Sequence, residues 1–327
     1  MKVNFFETEK WHEDFLKENL NQRKFKIEFN RGKLNEKSWK KAKDADIVAI
    51  FVYSKINSKV LEKLPNLKGI VVMATGTDNV DKQKCKEKGI KVMNVPRYGK
   101  NTVAEYAFGL ILNLSKKIHK AHEKTKTGDF SLDGLQGMDL KNKTLGVIGL
   151  GDIGQNTAKI AKGFGMNVIA YDVKQKRELE KKIGFKYSSM NNLLKNSDII
   201  SLHVPYNKNT HHLINKESIE KMKEGVLIVN TSRGAVINTT DLIKGLKSEK
   251  ISGAALDVLE EEEKMKKQLQ LASYDFPKAK LKNLLQDHSL MRMDNVLLTP
   301  HSAFNTKEAI ERILEKTIKN IENFYKK

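Results

Sequence analysis

The first hundred residues alternate between short apolar runs and amphipathic stretches. The apolar runs are rich in Val, Ile and Phe, which favour β-strands, and the stretches between them have the polar faces of surface helices. Strands and helices in alternation predict a parallel sheet with right-handed crossovers. The predicted strands are KVNFF, KFKIEF, DIVAIFVY, LKGIVVMAT and IKVMNV, and the predicted helices are HEDFLKENL, NSKVLEKL and VDKQKCKEKG.

A long helical pattern interrupts this alternation. Thr102 and Glu105 have the spacing of a capping box, which predicts that the helix begins there. The pattern continues to about Lys126 and is apolar on one side, so we expect the helix to be buried between domains or used for dimerisation. The change of pattern predicts a domain boundary near Gly99.

Alternation resumes at Lys143 and continues almost to the end of the chain. The new apolar runs are continuous, which is typical of parallel strands covered on both faces. They are TLGVIG, NVIAYD, DIISLHVP, GVLIVNTS, ISGAALDV and NVLLTPH. The last segment, TKEAIERILEKTIKNIENFYKK, predicts one amphipathic helix. We therefore expect an α/β protein with two domains.

Composition narrows the class of protein. With 327 residues and 39% apolar content, the chain is long enough for two packed domains. Its one cysteine, Cys85, excludes an intramolecular disulfide and a cysteine-based metal cluster. No apolar run approaches the ~20 residues of a membrane span, and MKVNFFETEKWHED lacks the apolar core of a signal peptide. We expect a cytoplasmic protein without a metal or a membrane partner.

The formal net charge of +20 raises nucleic-acid binding as an alternative function. The lysines are spread along every segment, however, and no basic block is combined with aromatic residues. Such charge binds polyanions without specificity and attracts anionic substrates and cofactors. We therefore expect no specific nucleic-acid partner.

A glycine motif, GLGDIG, lies between the strand TLGVIG and a predicted helix. At such a junction Gly149 permits the turn, Gly151 lets the backbone approach a pyrophosphate, and Gly154 allows close packing of helix on strand. The next predicted strand ends in Asp172, where an acid meets the ribose hydroxyls and would repel a 2′-phosphate. Together these residues predict binding of NAD in preference to NADP.

The other candidates for chemistry follow predicted strands. Ligands of open parallel sheets bind outside the carboxyl ends of the strands, so polar residues at those ends are the first to consider. They are His203, Pro205, Arg233, Asp257 and His301. The histidines in polar helix or loop contexts are expected to face solvent: His119, His122, His211, His212 and His288.

These motifs resemble the D-isomer-specific 2-hydroxyacid dehydrogenase family over nearly the whole chain. The resemblance rests on GLGDIG with Asp172, NTSRGAVIN, AALDVLEEE and LTPHSAF, in order and at suitable spacing. MATGTDNVD, VPRYGKNTVAEYAFGLIL, FSLDGLQG and the aromatic of HSAF resemble the D-lactate dehydrogenase branch.

The resemblance implies three catalytic residues. His301 would be the general acid–base that protonates the carbonyl oxygen, and Arg233 would bind the substrate carboxylate. Glu262 would hydrogen-bond the imidazole and keep it protonated at neutral pH. Glu262 is chosen from four consecutive glutamates because the acid of the family follows the residue matching Asp257 by five.

The resemblance also implies residues that contact ligands. For the substrate, Thr75 and Gly76 would offer backbone N–H groups, while Tyr98 and Phe304 would line the pocket. The choice between Phe51 and Tyr53 as a further pocket residue stays open. The cofactor contacts, besides the three motif glycines and Asp172, would be Asp152, Ile153, Val204, Pro205, Thr210, Thr231, Ser232 and Asp257.

The implied architecture is two doubly wound parallel-sheet domains, Rossmann-like and flavodoxin-like, with a cleft between them. Residues 1–99 and 302–327 would form the catalytic domain, and residues 100–301 the NAD-binding Rossmann domain. A homodimer would form largely through the helix that follows Thr102.

The implied reaction is the NAD-dependent reduction of a small 2-oxo acid to the D-2-hydroxy acid, with pyruvate and D-lactate as the expected pair, and its reverse. One alternative is another activity of the family, on a larger 2-oxo acid or on glyoxylate or hydroxypyruvate. A second is a non-catalytic, NAD-sensing protein of the corepressor type.

Overall fold

The computed structural model describes residues 1–260 and 289–326. The chain divides into two compact units, Met1–Tyr98 with Asn305–Lys327, and Gly99–Phe304. Within the described residues, each unit contains one sheet in which all strand pairs are parallel. The prediction of two parallel-sheet α/β domains is confirmed.

The first unit has a five-stranded sheet in the order β2-β1-β3-β4-β5. The strand order reverses between β1 and β3, which makes their carboxyl ends the switch point where flavodoxin-like sheets bind ligands. The strands are β1 (Lys2–Phe6), β2 (Lys26–Asn30), β3 (Ile47–Ile50), β4 (Gly69–Val72) and β5 (Lys91–Asn94). The helices are α1 (Lys10–Asn19), α2 (Ser58–Glu62) and α3 (Lys82–Glu87), with a short 3-10 helix at Trp39–Ala42.

The C-terminal helix, Lys307–Tyr325, completes this first unit. The hydroxyl of Thr306 caps it by accepting a hydrogen bond from the backbone N–H of Ala309 at 3.2 Å. Its apolar face packs against α1 and β4, and the ring of Phe324 lies over Gly69. The buried positions recur every three or four residues: Ala309, Ile310, Ile313, Leu314, Thr317, Ile318 and Ile321.

The second unit has a seven-stranded sheet in the order β12-β11-β10-β9-β6-β7-β8, with the switch point between β6 and β9. Its strands are β6 (Thr144–Ile148), β7 (Asn167–Tyr171), β8 (Lys186–Tyr187), β9 (Ile199–Leu202), β10 (Val226–Asn230), β11 (Ile251–Leu256) and β12 (Val296–Leu298). Its helices are α4 (Thr102–Lys116), α5 (Ile118–Lys126), α6 (Asp152–Gly163), α7 (Glu178–Ile183), α8 (Met190–Asn196), α9 (Lys216–Glu220) and α10 (Thr239–Lys247), with a 3-10 turn at Gly234–Val236.

Both faces of the second sheet are covered, because successive side chains of a strand point to opposite faces. Val147 of β6 belongs to the core cluster under α4 and α6, whereas the next residue, Ile148, belongs to the cluster under α9 and α10. This two-sided burial explains the continuous apolar runs of the sequence. In the described part of the chain no helix is long and apolar enough to cross a membrane.

The long helix after residue 101 differs from its prediction. Its start at Thr102 is as expected, but the capping box is wrong: Asn101 is the N-cap residue and makes no side-chain cap. Asn101 instead donates from Nδ2 to Oε1 of Glu105 at 3.0 Å. The helix is also divided, because Lys117 adopts the left-handed conformation with φ 52°. The first part, α4, packs against α6, β10 and β11 of its own unit.

Candidate active site

The glycine turn joins β6 to α6 at the switch point of the second sheet. Gly149 has φ 94°, and a Cβ there would lie 2.8 Å from the carbonyl carbon of His203. A Cβ on Gly154 would lie 2.0 Å from the carbonyl oxygen of Gly149. Both positions therefore require glycine. Gly151, the N-cap of α6, is exposed, and a Cβ there would meet no protein atom within 4 Å.

Asp172 lies directly after β7 and is tied to this turn. Its Oδ2 accepts the backbone N–H of Leu150 at 2.7 Å, and its Oδ1 accepts that of Lys174 at 2.8 Å. A carboxylate and a helix N-terminus thus flank the open side of Gly151. This is the arrangement that a ribose and a pyrophosphate need.

The segment after β9 crosses the glycine turn. Nε2 of His203 lies 2.9 Å from the hydroxyl of Ser201, and burial lowers the pKa of His203 to about 4, so its imidazole is neutral at physiological pH. Val204 is the next residue, and a Cβ on Gly149 would lie 2.9 Å from its backbone nitrogen. The hydroxyl of Thr210 donates to the carbonyl of Pro205 at 2.7 Å and closes the loop.

A buried asparagine, Asn230, shapes the turn that carries Arg233. Its Oδ1 accepts the backbone N–H of Ser232 at 3.0 Å and the hydroxyl of Ser232 at 2.7 Å, while its Nδ2 donates to the carbonyl of Arg233 at 3.0 Å. Nη1 of Arg233 donates to the carbonyl of Ser232 at 2.8 Å. The hydroxyl of Thr231 is buried and has no hydrogen-bond partner among the described residues.

Asp257, which follows β11, holds the loop that carries His301. Its buried carboxylate accepts the hydroxyl of Thr299 at 2.6 Å and the backbone N–H groups of Ser302 and Ala303 at 2.9 Å each. His301 itself has a left-handed backbone with φ 56°.

The ring of Phe304 lies edge-on to the imidazole of His301, with 6.4 Å between ring centroids. The hydroxyl of Tyr106, on α4, lies 2.9 Å from that of Ser302. These contacts and the Asp257 carboxylate surround the histidine loop on several sides.

The acidic run after Asp257 is described only as far as Glu260, so Glu262 lies outside the described residues. Glu260 is half-buried and its Oε1 lies 2.6 Å from Nε2 of His212. Burial alone would raise the pKa of Glu260, but hydrogen bonds from His212 and Thr239 outweigh it, and the pKa lies below its ordinary value.

The prediction that five histidines face solvent is partly wrong. Two of them, His122 and His211, are exposed as expected. His119 and His212 are half-buried, and each contacts a polar side chain: Asn113 for His119 and Glu260 for His212. His288 lies outside the described residues.

In the first unit, the candidate substrate residues follow β4 at the carboxyl edge of the five-stranded sheet. The hydroxyl of Thr75 donates to the carbonyl of Val95 at 3.3 Å, and the carbonyl of Thr75 accepts Nδ2 of Asn94 at 2.8 Å. Gly76 comes next in the chain. The carbonyl of Tyr98 accepts Nε of Arg312 at 2.8 Å.

The carboxylate of Glu7, which belongs to no motif of the sequence analysis, organises the same edge. It has φ 62° and accepts the backbone N–H groups of Phe51, Tyr53 and Ser54 at 3.1, 2.7 and 3.0 Å. The hydroxyl of Ser54 also donates to it at 2.5 Å. Burial is the largest influence and raises the pKa of Glu7, although these hydrogen bonds oppose it.

The loop of residues 51–54 is held from its other side by Asn79. Nδ2 of Asn79 donates to the carbonyls of Phe51 and Ser54 at 3.0 Å each. Phe51 is 5% exposed and its ring packs near that of His12, whereas Tyr53 is half-buried. Of the two aromatics, Tyr53 is the one that is not part of the core.

Comparison with known proteins agrees with these features. The family model "D-isomer specific 2-hydroxyacid dehydrogenase, NAD binding domain" matches residues 108–303. The D-lactate dehydrogenase of Escherichia coli is 38% identical over 100% of this chain and 97% of that protein. The aromatic 2-oxoacid reductase of Clostridium sporogenes is 40% identical over 86% of this chain and 84% of that protein.

Solved structures share the fold. The D-lactate dehydrogenase of Aquifex aeolicus, complexed with NAD and lactic acid, has a TM-score of 0.86 at 37% identity, over 99% of this chain and 95% of that chain. The apo-structure of the Escherichia coli D-lactate dehydrogenase has a TM-score of 0.84 at 36% identity, over 100% of this chain and 97% of that chain.

A glycine turn and a carboxylate at the switch point of a parallel sheet are the features of a dinucleotide-binding Rossmann domain. The chain belongs to the D-isomer specific 2-hydroxyacid dehydrogenase family, close to its D-lactate dehydrogenases, and its cofactor is NAD. The predictions of family, enzyme class and cofactor are confirmed.

Proposed function

We propose that the protein reduces pyruvate, or a modestly larger 2-oxo acid, to the D-2-hydroxy acid with NADH. One observation carries the proposal: the glycine turn, Arg233 and His301 follow strands β6, β10 and β12 at the carboxyl edge of one sheet. This edge is where Rossmann sheets bind their ligands.

The cofactor would be held by the residues of the glycine turn and of the loops beside it. The ribose hydroxyls would be bound by Asp172, and the hydroxyl of Thr231 is a buried polar group that a ligand could satisfy. Bound NADH supplies the hydride. The remaining proposed contacts are Asp152, Ile153, Val204, Pro205, Thr210 and Ser232.

Arg233 would bind the carboxylate of the substrate, because the planar guanidinium offers two parallel N–H donors to such a group. Protonated His301 would donate to the carbonyl oxygen, and its proton would pass to that oxygen as the carbonyl carbon accepts the hydride. Glu262 is proposed as the acid that keeps His301 protonated. Asp257 serves in this scheme by fixing the loop of His301.

Tyr98 and Phe304 are proposed as the apolar residues that set the size of the substrate, and the backbone N–H groups of Thr75 and Gly76 are proposed to bind its carboxylate. The relatives named D-lactate dehydrogenase support pyruvate, and the aromatic 2-oxoacid reductase supports a larger 2-oxo acid. An apolar pocket discriminates single methylenes by only ~1–3 kcal/mol, so activity on neighbouring 2-oxo acids is expected.

The test is a panel of 2-oxo acids assayed by oxidation of NADH, followed by oxidation of D-lactate and L-lactate in separate assays. We expect turnover of pyruvate or of a larger unphosphorylated 2-oxo acid, and oxidation of the D-isomer. Oxidation of L-lactate alone, or no turnover across the panel, would contradict the proposal.

We propose further that the protein forms a homodimer. Ile118 on α5 and two residues of the segment that follows, Phe130 and Leu132, are 54%, 79% and 82% exposed. Phe130 and Leu132 are two residues apart, and exposed apolar side chains that are grouped rather than scattered singly mark interaction surfaces. Sedimentation analysis should show a dimer that Leu132→Glu weakens. A monomeric wild type would exclude it.

A further inference from the structure

A half-buried histidine–glutamate pair ties three segments of the second unit together. His212 lies in the segment after β9, Glu260 follows β11, and Thr239 is the first residue of α10. Nε2 of His212 lies 2.6 Å from Oε1 of Glu260, and the hydroxyl of Thr239 donates to Oε2 at 2.9 Å. Both carboxylate oxygens are therefore engaged.

The surroundings of His212 determine which ring nitrogen carries the proton. Oδ1 of Asn238 accepts the backbone N–H of Asp241 as the cap of α10, which turns its Nδ2 toward Nδ1 of His212 at 3.3 Å. Nδ1 must then accept, so in the neutral ring the hydrogen is on Nε2 and is donated to Glu260. The pair needs no charge on the histidine to form.

Glu260 is suited to accept that hydrogen bond. Burial would raise the pKa of its carboxyl, but the hydrogen bonds from His212 and Thr239 bring the pKa below the ordinary value. The group is a carboxylate at neutral pH, and hydrogen bonds to ionised acceptors are stronger than those between neutral groups.

The turn of Arg233 contacts both residues of this pair through its backbone. A Cβ on Gly234 would be 2.0 Å from the carbonyl carbon of Leu259 and 2.3 Å from the nitrogen of Glu260. Gly234 therefore packs directly against the backbone of the glutamate. At the next residue of the turn, the backbone N–H of His212 donates to the carbonyl of Ala235 at 2.9 Å. The pair closes a ring of contacts around the turn.

We propose that His212 and Glu260 are positioning residues for Arg233. By fixing the backbone on both sides of the turn, they hold the guanidinium in the orientation that receives the substrate carboxylate. This inference rests on the proposed function in one respect, the role of Arg233 as the carboxylate-binding residue.

The first experiment measures steady-state kinetics of the full-length protein with its preferred 2-oxo acid. Glu260→Ala and His212→Asn remove the pair; asparagine tolerates the left-handed backbone of His212, which has φ 50°, but is too short to reach Glu260. We expect kcat/KM to fall roughly 10- to 100-fold, the scale of a misplaced binding group. The dissociation constant of NADH should be nearly unchanged.

Two further variants define the specificity of that result. Glu260→Gln keeps an oxygen for His212 and an NH2 group that can donate to the hydroxyl of Thr239, and it loses only the long contact to the backbone N–H of Thr239 at 3.4 Å, so it should recover most of the loss. Glu224→Gln is the matched control, because Glu224 is an exposed glutamate of the same unit, paired with Lys250 at 2.7 Å. The control should equal the wild type. Equal kcat/KM in Glu260→Ala and the wild type would overturn the proposal.

A double-mutant cycle separates positioning of Arg233 from general damage. In an Arg233→Lys background, the planar guanidinium that the pair orients is absent. Glu260→Ala should therefore lower kcat/KM much less than it does in the wild type. Additive losses would mean that Glu260 does not act through Arg233, and the proposal would fail.

Hydrogen exchange gives a readout that does not depend on the reaction. If the wild type reduced no 2-oxo acid, the proposed function would fail, yet the pair could still be tested on the turn itself. Peptides covering residues 231–238 should lose amide protection in Glu260→Ala and keep it in Glu224→Gln. Unchanged protection in Glu260→Ala would refute the positioning role whatever the substrate is.

Discussion

The carboxylate of Asp257 accepts the backbone N–H of Ala303 at 2.9 Å, across 46 positions of the chain. The same carboxylate accepts the N–H of Ser302, so two consecutive peptide groups directly after His301 are fixed to the end of β11. The prediction that Asp257 contacts the cofactor stays a prediction, and the structure shows in addition that its side chain holds the histidine loop.

Asp257→Asn should therefore damage the loop although the shape of the side chain is kept. One of the two oxygens becomes an NH2 group that faces an N–H or O–H donor, and a buried group left unsatisfied costs about 1–3 kcal/mol. Urea denaturation should show this loss of stability, and kcat should fall with it. A variant with the stability and kcat of the wild type would show that the loop is held by other contacts.

His301→Asn should remove proton transfer and leave the fold intact. Asparagine tolerates the left-handed conformation of this position, so the loop keeps its path. We expect kcat to fall by roughly 10² to 10⁴, the usual contribution of a positioned acid–base, with NADH binding nearly unchanged. Fluorescence titration of NADH and stopped-flow assays measure the two quantities separately. A fall in kcat of less than threefold would assign the proton to another group.

The motif glycines offer a matched pair of substitutions. Gly154→Ala places a Cβ 2.0 Å from the carbonyl oxygen of Gly149 and should destabilise the protein by roughly 1–3 kcal/mol. Gly151→Ala meets no protein atom within 4 Å, so it should keep the melting temperature but weaken NADH binding. Equal effects of the two substitutions on melting temperature would contradict the packing described for this turn.

The carboxylate of Asp172 should make the wild type prefer NADH to NADPH. A 2′-phosphate beside it would place like charges together, which costs several kcal/mol, so we expect at least a roughly 100-fold difference in kcat/KM. Asp172→Ser should narrow that difference while leaving the reaction itself in place. Equal kcat/KM for the two cofactors in the wild type would contradict this prediction.

The raised pKa of Glu7 should make the stability of the protein depend on pH. Because burial raises its pKa in the folded protein, the folded state binds the proton more tightly than the unfolded chain does. Its contribution to stability is therefore fully present below the ordinary pKa of 4.5 and is lost as the pH rises through the raised value.

The measurement for Glu7 is the free energy of unfolding of the wild type and of Glu7→Gln at several pH values above 4.5. The difference, wild type minus variant, should decrease with rising pH, since the glutamine does not titrate. Comparing the two proteins cancels the other titrating groups. A difference that grows with pH would mean that the four donors lower the pKa more than burial raises it.

The strands could be predicted because a parallel sheet covered on both faces requires uninterrupted apolar runs. The edge strand β8 has two residues, Lys186 and Tyr187, and is too short to form such a pattern. The division between α4 and α5 was missed for a different reason. It depends on a left-handed lysine, Lys117, and lysine is a good helix former that gives no sign of a break.

Only part of the candidate site could be predicted from the sequence, for a related reason. The glycine turn, Arg233 and His301 belong to local motifs, so their places at strand ends followed from the sequence. The partners of Glu7 lie 44 to 47 residues away, and those of Asp257 42 to 46 residues away. Such contacts appear only once the parallel strands bring their carboxyl ends together.

The C-terminal helix has a consequence for biosynthesis. Its apolar face covers β4 of the first unit, but it is translated after the whole of the second unit. On the ribosome, Gly99–Phe304 can fold as soon as it emerges, whereas Met1–Tyr98 keeps part of its core open to water until the C-terminal helix has been translated. Met1–Tyr98 is thus synthesised before Gly99–Phe304 but completed after it.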